Sequence, residues 1–262
     1  MKKLFSIRHP IPSKAYACLA VFVFVFLVLT WYFVSSMGIV KELFMPSPVK
    51  VVRYIAAELV SGGMLSDMWI SIYRIMMGFL LAAVLAIPLG ILAGSFPWME
   101  ALIAPVCEFV RYMPVPAFVP LVMIWSGIGE AAKIIIIFLG TFFQMVLMIA
   151  DDARSVSDDL LASSYTLGAR GSVAIRTVLI PAMLPRMMDT VRMMIGWAWT
   201  YLVVAELIAA DSGLGYSILK AQRYVKTEAI FAGILVIGLL GLITDRILVL
   251  INKKLFPWAE GE

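Results

Sequence analysis

AYACLAVFVFVFLVLTWYFV, residues 15–34, contains no charged side chain. A helix rises about 1.5 Å per residue, so about 20 apolar residues cross the hydrocarbon of a bilayer. This run is long enough, and Trp31 and Tyr32 place an aromatic belt at its far end. Lys2, Lys3, Arg8 and Lys14 precede it. The competing reading is a cleaved leader, whose apolar core runs only about 7–15 residues and closes on an A-x-A site. Here the run goes on to Ser35-Ser36-Met37, so a retained membrane helix is expected.

The rest of the chain has the same character. Of its 262 residues 63% are apolar and 15% charged, and the mean hydropathy is +0.99. Soluble domains average about 45–50% apolar and about 25% charged. A soluble fold of this composition would expose large apolar patches. Cys18 and Cys107 both lie in apolar stretches and are expected as small buried thiols, not as a disulfide. The net charge of +4 and pI of 9.1 come from residues scattered over separate loops. That pattern fits the basic bias of membrane proteins and excludes a nucleic-acid stripe.

Further apolar runs bring the expectation to an all-α integral membrane protein of about six spans. After residues 15–34 comes a polar stretch, 37–67, in which Pro46-Ser47-Pro48 turns the chain into a short helix over 49–60. Val51, Val52, Ile55, Ala56 and Leu59 share one face of it, which suits the membrane interface. Arg74 introduces the second span, 75–99, where Pro88 and a series of Ala and Gly suit tight helix packing. Residues 97–125 hold Glu108, Arg111, Pro114, Pro116 and Pro120. A straight helix cannot carry prolines so closely spaced, so a broken third span is expected. A kinked helix followed by a loop is the alternative. A polar break at 130–133 precedes the fourth span, 134–150; the fifth covers 193–210 with Glu206, and the sixth 229–251, where Asp245 and Arg246 pair or snorkel outward.

The basic N-terminus places the start of the chain in the cytoplasm. By parity the interval 151–192, with Arg154, Arg170, Arg176, Arg186 and Arg192, is cytoplasmic too, as is the tail with Lys253 and Lys254. The expected organisation is an N-terminal helix with an external interfacial helix (1–65), a core of spans (66–252) with the cytoplasmic loop 151–192, and a tail (253–262). Inside the loop, Ser155 with Asp158 reads as a capping box and Ser157 as a second cap. Asp158 and Asp159 favour the positive end of a helix dipole, and Gly168 ends the helix in a left-handed conformation. The result is a short amphipathic helix presenting Leu160, Leu161, Tyr165 and Leu167. Its apolar face suits either the protein's own spans and headgroups or a groove on a cytoplasmic partner. A second short helix from about Ser172 is expected to stop at Pro181, with Pro185 just beyond.

Leu161-Ala162-Ser163-Ser164-Tyr165-Thr166-Leu167-Gly168-Ala169-Arg170, continued to Leu179-Ile180-Pro181, resembles the EAA loop of ATP-binding-cassette importer permeases. Gly168 and Pro181 have the family spacing. Ala162 stands where the family has Glu, Ser163 and Ser164 replace two alanines, and Ile180 replaces Leu. Three other segments resemble the permeases for nitrate, taurine, alkanesulfonates and bicarbonate. They are Pro46-Ser47-Pro48, the run from Pro114 to Glu130, and Ala205-Glu206-Leu207 with Gly213-Leu214-Gly215-Tyr216.

The resemblance implies a permease of the inner membrane of a bacterium, with both termini cytoplasmic, taking up a small anionic solute. Two copies, as a homodimer, enclose one path; a separate ABC ATPase, holding ATP and Mg, clamps the coupling helices; and an external solute-binding protein delivers the solute. Leu160, Leu161, Ala162, Ser163, Ser164, Tyr165, Leu167, Gly168 and Arg170 are then the ATPase-coupling residues. Arg111, Met113, Pro114, Pro116 and Glu206 are candidates for the path or its gate. Residue chemistry leaves alternatives at several of them. Arg111 can face a cavity or pair with Glu108 three residues back; Glu206 reads as structural or gating before it reads as solute-binding; Met113, Met193 and Met194 read as packing, and His9 as inert.

No catalytic or metal residues are expected, and no cofactor in this chain. It has no G-x-x-x-x-G-K-[ST] loop with which to hold ATP itself, no H-E-x-x-H and no G-x-S-x-G. A secondary transporter or channel, the remaining class, would show paired broken helices in two related halves, whereas one proline-rich break stands out here.

Overall fold

Hydrocarbon offers a backbone no water, so each apolar run must satisfy its own amides by coiling. The structure, a computed structural model, describes residues 11–259, and all its long apolar runs are helices. In order these are α1 (Ser13–Ser36), α2 (Pro48–Ser61), α3 (Gly63–Ser95), α4 (Pro97–Arg111), α5 (Val115–Ser126) and α6 (Glu130–Arg154). Then come α7 (Asp158–Thr166), α8 (Gly171–Ala174), α9 (Ile180–Ala209), α10 (Leu214–Arg223) and α11 (Thr227–Leu255). Five stretches are long and apolar enough to span a bilayer, and the bent pair α4–α5 brings the number to six if it counts as one span. Lys2, Lys3, Arg8 and His9 lie outside the described residues.

The close contacts between α3 and α6 give their relative direction. A β-carbon added at Gly78 would meet Ile137, one at Gly90 would meet Ile149, and one at Gly94 would meet Ala150 and Ala153. Residue numbers rise together, so the two helices run parallel. A chain that crosses the layer in α3 and again in α6 in the same sense must return in between, and only α4 and α5 are available. The expected broken span therefore stands as one crossing. Its two halves meet at 101°, with Pro114 capping α5 and Pro120 accommodated inside it. α9 runs back against α6, because Asp152 near the end of α6 accepts a hydrogen bond from Thr190 early in α9. α11 opposes α9: Arg192 pairs with Asp245, and the Trp199 indole donates to Thr244.

Small residues on α3 (Ala82, Ala83, Ala86, Ala93) let α6 approach closely, as helices in lipid require when apolar burial gives no net drive. The main core lies between α3, α6 and α9, around Ile75, Ile137, Met145, Ile149, Ala198 and Leu202. α1 is held mainly at its far end, where the Trp31 indole donates to the Pro46 carbonyl at 3.0 Å and stacks on Phe231. From Val21 to Thr30 α1 is exposed throughout, and so is Cys18; of the two expected buried thiols only Cys107 is buried.

Several boundaries differ from the sequence reading. Arg74 and the set Glu130 to Lys133 lie inside helices, because their charges are neutralised by partners far along the chain. α2 buries Val51 and half-buries Tyr54 and Ile55, leaving Val52, Ala56 and Leu59 exposed, so the inward face is rotated from the expected one. The chain also does not stop at Pro181. Residues Ile175–Leu179 widen into a π-turn in which the Ile180 amide reaches back to the Ile175 carbonyl, and α9 then runs on through Pro181 and Pro185. An added residue in the turn accommodates a proline that has no amide to give.

Candidate functional site

Three places carry polar chemistry that packing alone does not require. The first is a cavity of about 410 Å³ bounded by α4, α5, α6 and α9. Arg111, the last residue of α4, is among its lining residues, and its guanidinium donates to the hydroxyl of the exposed Tyr112 at 3.0 Å and lies over that ring. Among the described residues no ion pair joins Arg111 to Glu108, and Arg111 is exposed at the edge of the cavity it helps to line. Met113, Met193 and Met194 also line it; Met194 is buried in the core as well, while Met193 is exposed. Pro114 and Pro116 sit at the exposed start of α5 and set the bend. The cavity wall also contains Gln144, which sequence reasoning passed over although it is one of two polar side chains between Lys133 and Asp151. The signal was there, since an amide within a span is a functional flag.

The second place is an ion cluster at one end of the bundle. Arg74 and Glu206 are both 0% exposed and meet at 2.7 Å. Arg74 also grips both carboxylate oxygens of Glu130 at 2.7 Å and the Ser212 carbonyl at 2.7 Å. Lys133 adds a bond to Glu130 at 2.8 Å. Glu206 is completed by Ser71 at 2.8 Å and by the Gly215 amide at 2.7 Å. The two cations and two carboxylates at its heart balance, which is the condition for burying charge at all. Gly213 has φ +105°, and a β-carbon there would lie 2.3 Å from the Glu206 carboxylate, so only glycine lets the loop close over the cluster. Asp67 ties down the same loop by accepting from the Gly213 amide and the Ser217 hydroxyl. Glu206 is thus an anchor and does not line the cavity. Sequence reasoning missed Arg74 as its partner, because nothing local marks a contact 132 residues apart.

The rim of this cluster is exposed at Asp211. The exposed Asp211 carboxyl sits below the ordinary carboxylate range because its own backbone amide donates to it and Lys133 lies near. On α2, Tyr54 is pushed up by burial and then by the Glu58 carboxylate.

The third place, at the opposite end, is α7. Ser157 occupies its N-cap position without a side-chain cap bond, and Ser155 belongs to the end of α6, where its hydroxyl donates to Asp152; the expected capping box at Ser155 does not form. The termination is as expected. Gly168 has φ +85°, its amide bonds to the Tyr165 carbonyl, and the Ala169 amide bonds to Ser164. This two-bond glycine stop satisfies the last carbonyls. Ser164 is buried and Leu161 half-buried; Ala162, Ser163, Gly168 and Arg170 are exposed. Leu160 and Tyr165 are exposed too, and Leu167 is 89% exposed. The hydroxyls of Ser163 and Ser164 are spent on carbonyls of their own helix, and the outward surface combines Leu160, Ala162 and Tyr165 with the carboxylates of Asp158 and Asp159 in the first turn. Among the described residues no group of His, Cys, Asp and Glu could hold a metal ion.

Parallel and antiparallel spans around a lined cavity, with a short exposed helix tethered between two of them, define a multi-span transport component. The chain belongs to the binding-protein-dependent transport system inner membrane components, whose family it matches over residues 86–257. It is 35% identical over 231 residues to the "Putative aliphatic sulfonates transport permease protein SsuC" of Bacillus subtilis, covering 88% of this chain and 84% of that one. It is 32% identical over 241 residues to the "Taurine transport system permease protein TauC" of Escherichia coli, covering 90% and 87%. Among solved structures, a chain of the MetNI methionine ABC transporter in an inward-facing conformation superposes with a TM-score of 0.61 at 17% identity, over 71% of this chain and 95% of that one. That likeness establishes the fold alone.

Proposed function

We propose that this permease forms the solute path of an ATP-driven importer together with a second copy of itself. The solute is a small anion of the nitrate, sulfonate, taurine or bicarbonate type. ATP and Mg are held by separate cytoplasmic ATPase subunits, and an external binding protein delivers the solute. The observation that carries this reading is α7, a helix fixed by a glycine stop between two spans with Leu160, Tyr165 and Leu167 turned outward. Such a helix suits a groove on a motor subunit.

Both termini and α7 then lie in the cytoplasm, and the Arg74 cluster faces outside. Residues 66–252 form the working core, with 1–65 as an N-terminal anchor and external helix and 253–262 as the tail. Glu206 acts in the outer gate by holding the loop at Gly213 closed over Arg74. Arg111, Met113, Pro114 and Pro116 shape the path. ATP binding works by shifting a two-state helix arrangement that α7 reports to the core.

The reading is tested at Gly168. Its left-handed conformation costs an ordinary residue about 1–2 kcal/mol, about tenfold in the population of the docked geometry. Gly168→Val, a β-branched residue that the left-handed region excludes, should insert and assemble normally while uptake in proteoliposomes falls by at least that factor. Wild-type uptake by the variant contradicts the coupling role.

A further inference from the structure

Asp152 is a buried carboxylate that neither the ion cluster nor the cavity uses. It lies two residues before the end of α6 and accepts the hydroxyl of Thr190, equally buried on α9, at 2.6 Å. That length belongs to a hydroxyl bonded to a charged carboxylate, a bond about twice as strong as a neutral one. Its neighbours Asp151 and Asp189 are each paired with an arginine, whereas among the described residues Asp152 is in no ion pair. An apolar pair would fill the same space without the cost of burying a charge, so the use of this pair is directional.

The position of the bond shows what it fixes. Residues 153–189 form one loop that starts and ends at it: the end of α6, α7, α8, the π-turn and the first turns of α9. Within the loop α7 packs against α8 and the π-turn, and residues 155–157 tether it to α6. A displacement of α7 thus reaches α9 through the π-turn and α6 through an irregular tether. The two routes rejoin at Asp152 and Thr190, and among the described residues no other side-chain hydrogen bond or ion pair joins α6 to α9. Apolar contact is non-directional and tolerates sliding, while a short bond to a carboxylate holds one register.

We propose that Asp152 and Thr190 are positioning residues that brace the root of this loop, so that a displacement of α7 moves α6 and α9 as one body. This rests on the importer reading above and adds the step between α7 and the core. α6 and α9 both line the cavity, so moving them together reshapes two of its walls at once. With the brace cut, α9 follows α7 alone and α6 stays behind.

The test is hydrogen–deuterium exchange of the complete complex in lipid nanodiscs, with and without Mg and adenylyl imidodiphosphate, an ATP analogue that is not hydrolysed. In the wild type the nucleotide should change exchange over 146–154, the end of α6, together with 180–190, the start of α9. Thr190→Val keeps the shape and removes the donor. Its nucleotide response should persist over 180–190 and fall about tenfold over 146–154, the factor of one hydrogen bond to a charged group. Thr190→Ser keeps the hydroxyl and should respond as the wild type does; a pair that served only packing would give the opposite order. Asp152→Ala strands no buried charge, since the freed Thr190 hydroxyl can turn to a carbonyl of its own helix, and it should repeat the loss over 146–154 even where Thr190→Val fails to assemble. A wild-type complex without a response over 146–154, a full response there in Thr190→Val or Asp152→Ala, or its loss in Thr190→Ser each overturns the proposal. A wild-type chain that purifies from its native membrane without an ATPase sinks the importer reading itself, a result distinct from any of these.

Discussion

Arg74 shows how much a single buried guanidinium can organise. It joins α3 to α6 through Glu130, to α9 through Glu206 and to the following loop through Ser212. Removing one partner of a buried ion pair costs about 3–5 kcal/mol because the other charge is left uncompensated. Arg74→Met should therefore lower the midpoint of heat unfolding in detergent sharply, and Glu206→Gln added to it should restore part of the loss. Equal melting of the single variant and the wild type contradicts this account. The sequence made Glu206 visible as a charge in a span but left Arg74 as a mere flank, since hydropathy discounts any arginine near a helix end. Which carboxylate a buried arginine meets depends on how distant helices pack, and no local pattern carries that. The glycines at 213 and 215 stood out only through resemblance, and the structure supplies their reason: they let the backbone close on Glu206.

At the scale of elements the legible features were those set by short-range chemistry. The stop at Gly168 and the break between α4 and α5 both follow from residue types within a few positions, and both are present. The run of α9 through Pro181 was not legible, because a π-turn depends on the neighbours that hold it and not on the proline alone. Another such contact fixes the cavity wall. A β-carbon at Gly140 would sit 2.3 Å from the Tyr201 ring, so Gly140 allows that ring to lie flat on α6. Overpacking of this kind costs about 1–3 kcal/mol. Gly140→Ala should push Tyr201 into the cavity and slow uptake, and Tyr201→Ala in the same chain should recover it. Unchanged uptake in Gly140→Ala would show that the wall yields without consequence.

The whole molecule presents apolar surface on most sides, as a lipid-facing protein does, but its two halves are not used alike. α3, α6 and α9 enclose a dense core, whereas the cavity opens beside α4 and α5, with Phe109, Tyr112, Ile124 and Trp125 exposed along that side. The proposed pairing with a second copy predicts that native mass spectrometry of the intact complex shows two permease chains; a single chain in an active complex contradicts it. Class and span number were readable from composition and run length, because the bilayer imposes both. The solute was not, because selectivity rests on which few side chains meet in the cavity. The central claim is that α7 receives force from a nucleotide-driven subunit. Its most direct measurement is cross-linking in native membranes from Tyr165→Cys, with Tyr224→Cys at the opposite end as control. The account predicts that an ATP-binding chain is captured from position 165 and not from 224, and absence of that chain from the position 165 adducts would contradict it.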